Sequence, residues 1–251
     1  MKEASRHPLL EIKNVKKTFG KVIALNNVSF ALERGELVGL LGDNGAGKST
    51  LIKLIMGIYE PDEGEIFFEG KSLRGLSPGQ RRALGIETVP QGGAVVPYMD
   101  VARNFFLGRE ILKFRCLKIL NLSKMHEESA KMIAEAGIRL RSTYERVNFL
   151  SGGERQAISI ARTLYFKGKL MLLDEPTLNL SIKETDKLID AINTAKNYKI
   201  GIIFVTHNVY HVFDIADKFV ILNRGNLVGI YPKDMVTPND LIMCIRTGNP
   251  L

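Results

Sequence analysis

From Leu9 to Leu32 apolar and polar residues alternate, and the alternation breaks at Gly20-Lys21. A period of two marks a half-buried strand, so this stretch predicts two antiparallel strands joined by a tight turn. The pattern then changes: Leu37 to Leu41 is an unbroken apolar run, the signature of a buried parallel strand, and a glycine-rich octapeptide separates it from the amphipathic segment Leu51 to Met56. The turn cluster Glu60-Pro61-Asp62-Glu63-Gly64 precedes a short strand from Glu65 to Glu69, and Ile86 to Val89 is another. Asp100 to Leu107 and Ser123 to Ala136 have helical periodicity, and with the mixed basic and apolar run Lys113 to Leu120 between them they predict a helical insertion. Past Gly153 come a helix from Glu154 to Tyr165, a strand from Leu170 to Leu173, a helix from Ile182 to Lys196 and a strand from Ile200 to Val205. Ser181 and Glu184 form a capping box for the second of these helices. Phe219 to Leu222 and Leu227 to Tyr231, linked by Asn223-Arg224-Gly225-Asn226, predict a terminal hairpin.

These elements predict an α/β fold: a mostly parallel, doubly covered sheet with an antiparallel β edge and an inserted helical subdomain. A chain of 251 residues suits one such domain better than two. The expected division is a single domain over 1–251, with the insertion at about 92–150 and the hairpin and tail at about 218–251. Two cysteines, Cys116 and Cys244, are too few and too far apart for a disulfide framework or a metal site, which points to a reducing compartment. The longest apolar runs, such as Ile200 to Val205, fall far short of the ~20 residues a membrane span needs, and Met1 to Pro8 lacks the apolar segment of a signal peptide. The expectation is a soluble cytoplasmic protein. Its net charge of +8 suits an anionic ligand, nucleic acid or an anionic membrane face without choosing among them.

The octapeptide chooses a ligand. Gly42-Asp43-Asn44-Gly45-Ala46-Gly47-Lys48-Ser49 matches the P-loop in its required context of strand, turn and helix, where glycines let backbone N–H groups curl around phosphates at the positive end of a helix. Lys48 then reaches the β- and γ-phosphates, and Ser49 ligates Mg²⁺. Leu150-Ser151-Gly152-Gly153-Glu154 opens an amphipathic helix with a second N–H cradle suited to a γ-phosphate, although one nucleotide does not need two such cradles in one domain. Leu170-Met171-Leu172-Leu173-Asp174-Glu175 is an apolar strand ending in two carboxylates: Asp174 suits the Mg²⁺ shell and Glu175 a base or orienter for the attacking water. His207 follows the strand Ile200 to Val205, where a γ-phosphate sensor could sit.

Phe19, Gly42 to Ser49, Gln91, Ser151 to Glu154, Asp174-Glu175 and His207 occur in the order and at the spacings of ATP-binding cassette (ABC) ATPases, and the chain resembles that family from Leu9 to about Tyr231. The resemblance implies that Phe19 stacks on adenine and that Gly42, Asn44, Gly45, Gly47, Lys48, Ser49 and Thr50 bind the ATP phosphates. It also implies Mg²⁺ held by Ser49, Gln91 and Asp174, with Glu175 the catalytic base and Lys48, Gln91 and His207 beside it. A head-to-tail dimer is implied in which Ser151, Gly152 and Gly153 of one copy close over the ATP on Lys48 of the other.

Two stretches, Gly85 to Gln91 continuing through Val96 to Asn104 and Phe106 to Glu110, and Asp174 to Thr177 with Leu180 to Glu184, are similar to ATPases of simple-sugar importers of the ribose, fructose and inositol types. Ser181 stands where most of the wider family has aspartate, as that sugar group commonly does. Pro90 replaces the usual tyrosine before the loop glutamine, and Gly92-Gly93 replaces an aspartate-containing sequence, so the backbone there departs from the family pattern. The function implied is the ATP-hydrolysing subunit of a sugar or polyol importer, peripheral on the inner face of the cell membrane. Its partners are a second copy, transmembrane permease subunits and, indirectly, a sugar-binding protein. Alternatives are an exporter, another solute, or a soluble ABC ATPase acting on DNA or the ribosome. The last is disfavoured by the short segment between Gln91 and Ser151, and no nucleic-acid partner is expected.

Overall fold

The alternating segment at the start becomes two long antiparallel strands, β1 (Leu10–Phe19) and β2 (Val22–Leu32), which turn at Gly20-Lys21 as the pattern predicts. In this computed structural model residues 7–90, 95–114, 116–138 and 140–251 are described. The apolar run is β3 (Leu37–Leu41), buried at every position, and the segment after the octapeptide is α1 (Lys48–Met56). Then follow β4 (Glu63–Phe68), β5 (Lys71–Ser72), α2 (Pro78–Ala83) and β6 (Ile86–Val89). The middle of the chain holds α3 (Val101–Phe106), β7 (Leu112–Phe114), β8 (Ile119–Leu120) and α4 (Leu122–Glu135). After these come α5 (Gly152–Tyr165), β9 (Leu170–Asp174), α6 (Ile182–Asn197), β10 (Gly201–Thr206), α7 (Tyr210–Phe213), β11 (Lys218–Asn223), β12 (Asn226–Pro232) and α8 (Pro238–Thr247).

The chain divides into two compact units, one formed by residues 1–88, 169–175 and 199–251, the other by 89–168 and 176–198. The second therefore takes in α5 and α6 as well as the segment 92–150.

In the first unit the sheet runs in the order β5-β4-β1-β2-β12-β11-β3-β10-β9-β6. The β11, β3, β10 and β9 pairings are parallel, and β1, β2, β4 and β5 form the antiparallel edge. β10 is buried along its whole length, which is why its sequence shows no alternation. β11 and β12 are the expected hairpin, with Arg224 and Gly225 both at positive φ, the turn whose twist suits two strands.

The core of this unit packs Leu51, Leu54 and Ile55 of α1 with apolar residues of the sheet. The far end of α1 is held by Arg81 of α2, which is fully buried. Its guanidinium donates to the carbonyls of Leu54 at 2.6 Å, Ile55 at 3.3 Å and Leu76 at 2.9 Å, and to Glu60 Oε1 at 2.6 Å. Burial lowers its pKa and Glu60 opposes that shift. A cation on the last carbonyls of a helix is favourable, so the helix that follows the P-loop is anchored at its C-terminal end by one side chain.

The second unit has its own core, in which Phe105, Phe106, Tyr165 and Phe166 pack mostly edge to face with ring centroids 5.1 to 6.4 Å apart. The run Lys113 to Leu120 is not helical: β7 and β8 pair as a small antiparallel sheet of their own. Phe114 and Ile119 are better strand than helix formers, and no acidic residue is available for the i,i+4 pairing that would support an exposed helix. The sequence pattern does not predict α2, α7 or α8; of these, α2 and α8 are announced by Ser77-Pro78 with Gln80 and Thr237-Pro238 with Asp240. Both are capping boxes with proline in the first turn.

Arg81→Met should lower stability by about 2–4 kcal/mol, since three carbonyls and Glu60 lose their donor. Urea unfolding of the isolated chain checks this.

Candidate functional site

The first unit builds one site from the carboxyl ends of three adjacent strands. Register aligns them: Val205 of β10 pairs with Leu40 of β3 and with Asp174 of β9, and Thr206 pairs with Leu41. Gly42, Glu175 and His207, each just past those ends, therefore emerge side by side, where open α/β sheets bind their ligands.

At Gly42, with φ +152°, an added Cβ would lie 2.3 Å from the Leu222 carbonyl oxygen, and at Gly47, with φ +104°, 2.6 Å from that of Ala24. No other residue type fits this turn. Gly45 faces open space. α1 opens at Gly47 with no side-chain cap, whereas α2, α5, α6 and α8 each carry a capping box. Its first N–H groups thus lack the side-chain acceptor those helices have, as an anion-binding helix end requires. Lys48 is buried, and its Nζ donates to the loop's own carbonyls, Gly42 at 2.7 Å and Asp43 at 3.0 Å. Burial lowers its pKa, against the opposing charges of Glu175, Asp174 and Asp43. Ser49 is exposed and Thr50 half-buried on the same turn, and Asn44 N–H is turned to Asp43 Oδ1 at 2.9 Å.

Burial raises the pKa of Asp174, Glu175 raises it further, and Lys48 and Lys53 oppose. Such a carboxylate gains from a cation. Among the described residues no group of three His, Cys, Asp or Glu side chains could hold a metal ion. A single half-buried carboxylate fits Mg²⁺ better than a metal held wholly by protein, because Mg²⁺ takes one or two side chains and completes its shell with phosphates and water.

Glu175 adopts φ +46°, rare for a residue with a side chain. Three hydrogen bonds fix it: its N–H donates to Val205 O at 3.0 Å, and its Oε1 accepts from His207 N–H at 3.1 Å and lies 2.8 Å from His207 Nδ1. Phe19, at the end of β1, is partly exposed, with Tyr59 edge-on at 5.1 Å and Lys17 Nζ 5.5 Å from its ring centre. Asp62 ties down this corner through Lys17 Nζ at 2.6 Å and Thr18, and those bonds hold its carboxyl at about 2. The unit thus brings Gly42 to Thr50, Asp174, Glu175 and His207 together. Gln91 lies outside the described residues.

In the second unit, Ser151 caps α5: its hydroxyl accepts from Glu154 N–H at 3.2 Å, and Glu154 Oε2 accepts from Ser151 N–H at 2.8 Å. Packing restricts Gly153 strictly and Gly152 only loosely. A Cβ on Gly152 would meet Leu180 Cδ2 at 2.7 Å, and one on Gly153 would meet Glu184 Cβ at 3.0 Å and its carbonyl oxygen at 3.2 Å. Glu184 completes the predicted box with Ser181, whose N–H and hydroxyl hold the Glu184 carboxyl at about 2, with Gly153 N–H and the Ser151 side chain adding to this. The starts of α5 and α6 are therefore one interlocked polar cluster.

A sequence profile of the ABC transporter family matches residues 25–178. The chain belongs to the ABC transporter ATPases. It is 45% identical over 221 residues, 88% of this chain and 86% of the relative, to the xylose/arabinose import ATP-binding protein XylG of Sulfolobus acidocaldarius. It is 38% identical to the fructose import ATP-binding protein FrcA of Rhizobium meliloti over 92% of this chain and 91% of that one. The ribose import ATP-binding protein RbsA of Caldanaerobacter subterraneus is also 38% identical over 94% of this chain, which spans only 47% of that longer protein. Among solved structures, an ATP-binding cassette of an ABC transporter in its ADP conformation superposes with a TM-score of 0.80 at 23% identity, covering 94% of this chain and 95% of that one. A dimeric cassette bound to ADP and phosphate gives 0.75 at 24%, covering 89% and 98%. These two establish the fold.

In this ABC ATPase two side chains do more than the sequence pattern shows. One is Glu184, predicted only as the partner of Ser181, which also joins the two helix starts. The other is Asn104, buried on α3, whose Oδ1 accepts from Val96 N–H at 2.6 Å and whose Nδ2 donates to the carbonyls of Val96 and Met99 at 3.0 Å and of Asp100 at 3.1 Å. It fixes the loop that exposes Tyr98. An asparagine four places after the N-cap Asp100, on an otherwise apolar helix face, was the available signal.

The geometry ranks two glycine variants of this ABC ATPase. Gly153→Ala should cost about 1–3 kcal/mol, because Cβ and backbone atoms of Glu184 are in the way. Gly152→Ala should cost under about 1 kcal/mol, because it meets only the mobile end of Leu180. Urea unfolding of both variants, with the reverse ranking as the contrary result, decides it.

Proposed function

We propose that this ATPase energises the import of a monosaccharide or related polyol. In this reading two copies act head to tail beneath transmembrane permease subunits on the inner membrane face, and a sugar-binding protein delivers the solute. The observation that carries this reading is the 45% identity, over nearly the whole of both chains, to a xylose/arabinose import ATPase. No helix among the described residues is long and apolar enough to cross a membrane.

In this mechanism Gly42 to Thr50 wrap the ATP phosphates, and Lys48 turns from its own loop carbonyls to the β- and γ-phosphates. Phe19 stacks on the adenine. Ser49 and Asp174, with Gln91 as the family resemblance implies, would hold Mg²⁺, which would supply charge neutralisation at the phosphates. Glu175, held through Oε1 by His207, takes the proton of the attacking water. Ser151, Gly152 and Gly153 of the second copy close over the γ-phosphate. The permease is engaged through the loop carrying Val95, Val96 and Tyr98, which Asn104 holds in place. Expression with the permease and binding protein encoded beside it, followed by uptake of labelled pentoses and hexoses, tests the solute. Uptake of none of them overturns the sugar assignment.

Glu175→Gln should bind MgATP and hydrolyse it at least ~100-fold more slowly. Phosphate release and size-exclusion chromatography in ATP should show a trapped dimer.

Lys48→Ala and Ser151→Arg should each be nearly inactive alone. Mixed, they form heterodimers with one complete site, giving roughly a quarter of the normal rate under random pairing. Hydrolysis by Ser151→Arg alone at the normal rate, with dimerisation intact, would overturn the shared site.

Tyr98→Asp should leave the basal ATPase of the isolated subunit intact and abolish permease-dependent uptake. Equal loss of both activities would place Tyr98 in folding instead.

A further inference from the structure

No residue of the β7–β8 hairpin is among those assigned to ATP. Its ends are rooted in the second unit's core: Ile111 and Leu122 pack against that core, and Asn121 N–H donates to Ile111 O at 2.7 Å. Between these roots the apolar residues turn outward. Phe114 is 51% exposed, Leu117 67%, Ile119 46% and Leu120 40%, and Phe114 pairs across the hairpin with Ile119. A two-stranded sheet is marginal in water, and exposing this much apolar surface on one favours a covering surface.

Charge identifies what covers it. From Ile111 to His126 the sequence carries Lys113, Arg115, Lys118 and Lys124 and no acidic residue, in a chain with 27 acidic residues overall. Lys113 lies 6.0 Å from the Phe114 ring centre, and Lys118 occupies the turn at φ +52°. The partner is therefore anionic and also accepts aliphatic side chains. Nucleic acid fits poorly, since three of the four exposed apolar groups, Leu117, Ile119 and Leu120, cannot stack on bases. Protein interfaces are depleted in lysine. A bilayer surface offers anionic headgroups above an apolar layer, the combination that basic and apolar surface segments bind.

We propose that the hairpin 112–120 is a lipid-contact element that docks on anionic phospholipid headgroups, with Lys113 and Lys118 at the phosphates and Phe114 and Leu117 in the interfacial layer. The inference rests on the reading of this ATPase as a membrane-peripheral subunit, but it concerns the subunit's own contact with lipid and needs no permease.

Flotation of the full chain with phosphatidylcholine vesicles, with and without ~30% phosphatidylglycerol, tests it. Binding should be at least ~10-fold tighter to the anionic vesicles. Lys113→Glu/Lys118→Glu and Phe114→Ser/Leu117→Ser should each weaken it by at least ~10-fold. Both double variants should keep the normal melting temperature and ATPase rate. Lys131→Glu/Lys187→Glu makes the same change in net charge at two exposed lysines elsewhere and should bind as the unaltered chain does. Absence of binding, equal binding to neutral vesicles, or equal losses in both charge-reversed variants overturns the lipid contact. If vesicles are not bound but the hairpin variants abolish permease-dependent uptake, the covering surface is protein and the proposal is wrong. Because vesicle binding does not use the shared ATP site, failure here leaves the import reading standing, and failure of the mixed-variant experiment leaves this one untouched.

Discussion

The in-register parallel pairing of β3, β10 and β9 is the constraint on which the chemistry of the first unit depends. Each residue along a strand advances about 3.3 Å and reverses the face of the side chain. With Val205 opposite both Leu40 and Asp174, the P-loop, the two carboxylates and His207 leave the sheet at one level. A slip of one residue would carry Asp174 away from Lys48 and turn it toward the opposite face. Burial of all of β3 and β10, and of all but the last residue of β9, holds this register, since every alternative would place Asp174 or Thr206 out of line with its neighbours.

Conformational strain is concentrated in the same place. Glu175 in the left-handed region costs on the order of 1 kcal/mol, and it persists because its N–H and its carboxylate are both fixed to β10 and His207. A carboxylate held this way needs little reorganisation when water is to be aligned. Lys48 shows complementary economy. Without a phosphate, its charge is satisfied by the carbonyls of the loop it belongs to, so no buried cation is stranded.

The second unit works by close approach. Two glycines let the start of α5 lie against Leu180 and Glu184, and Glu184 is shared between the caps of α6 and α5. Through Glu184, Ser151 and Gly153 are tied to Ser181, so the starts of α5 and α6 form one hydrogen-bonded unit. Asn104 does similar work for the loop bearing Tyr98, with a single buried amide satisfying four backbone groups.

The sequence by itself determined the α/β class, the P-loop, the strand that ends in Asp174 and Glu175, the Ser181–Glu184 cap and the terminal hairpin. All of these are local: a period, a cap or a glycine forced by φ is written in adjacent residues. The capping boxes at Ser77 and Thr237 were equally local and equally legible, although the helices they open are short or follow a strand rich in apolar residues. Tertiary structure alone decided what depends on residues far apart in the chain: that Arg81 closes the end of α1, that His207 takes hold of Glu175, and that Gly153 is pressed on Glu184. No period records a contact between residues 32 places apart, such as that of His207 with Glu175, because it exists only once the sheet has brought distant strands into register.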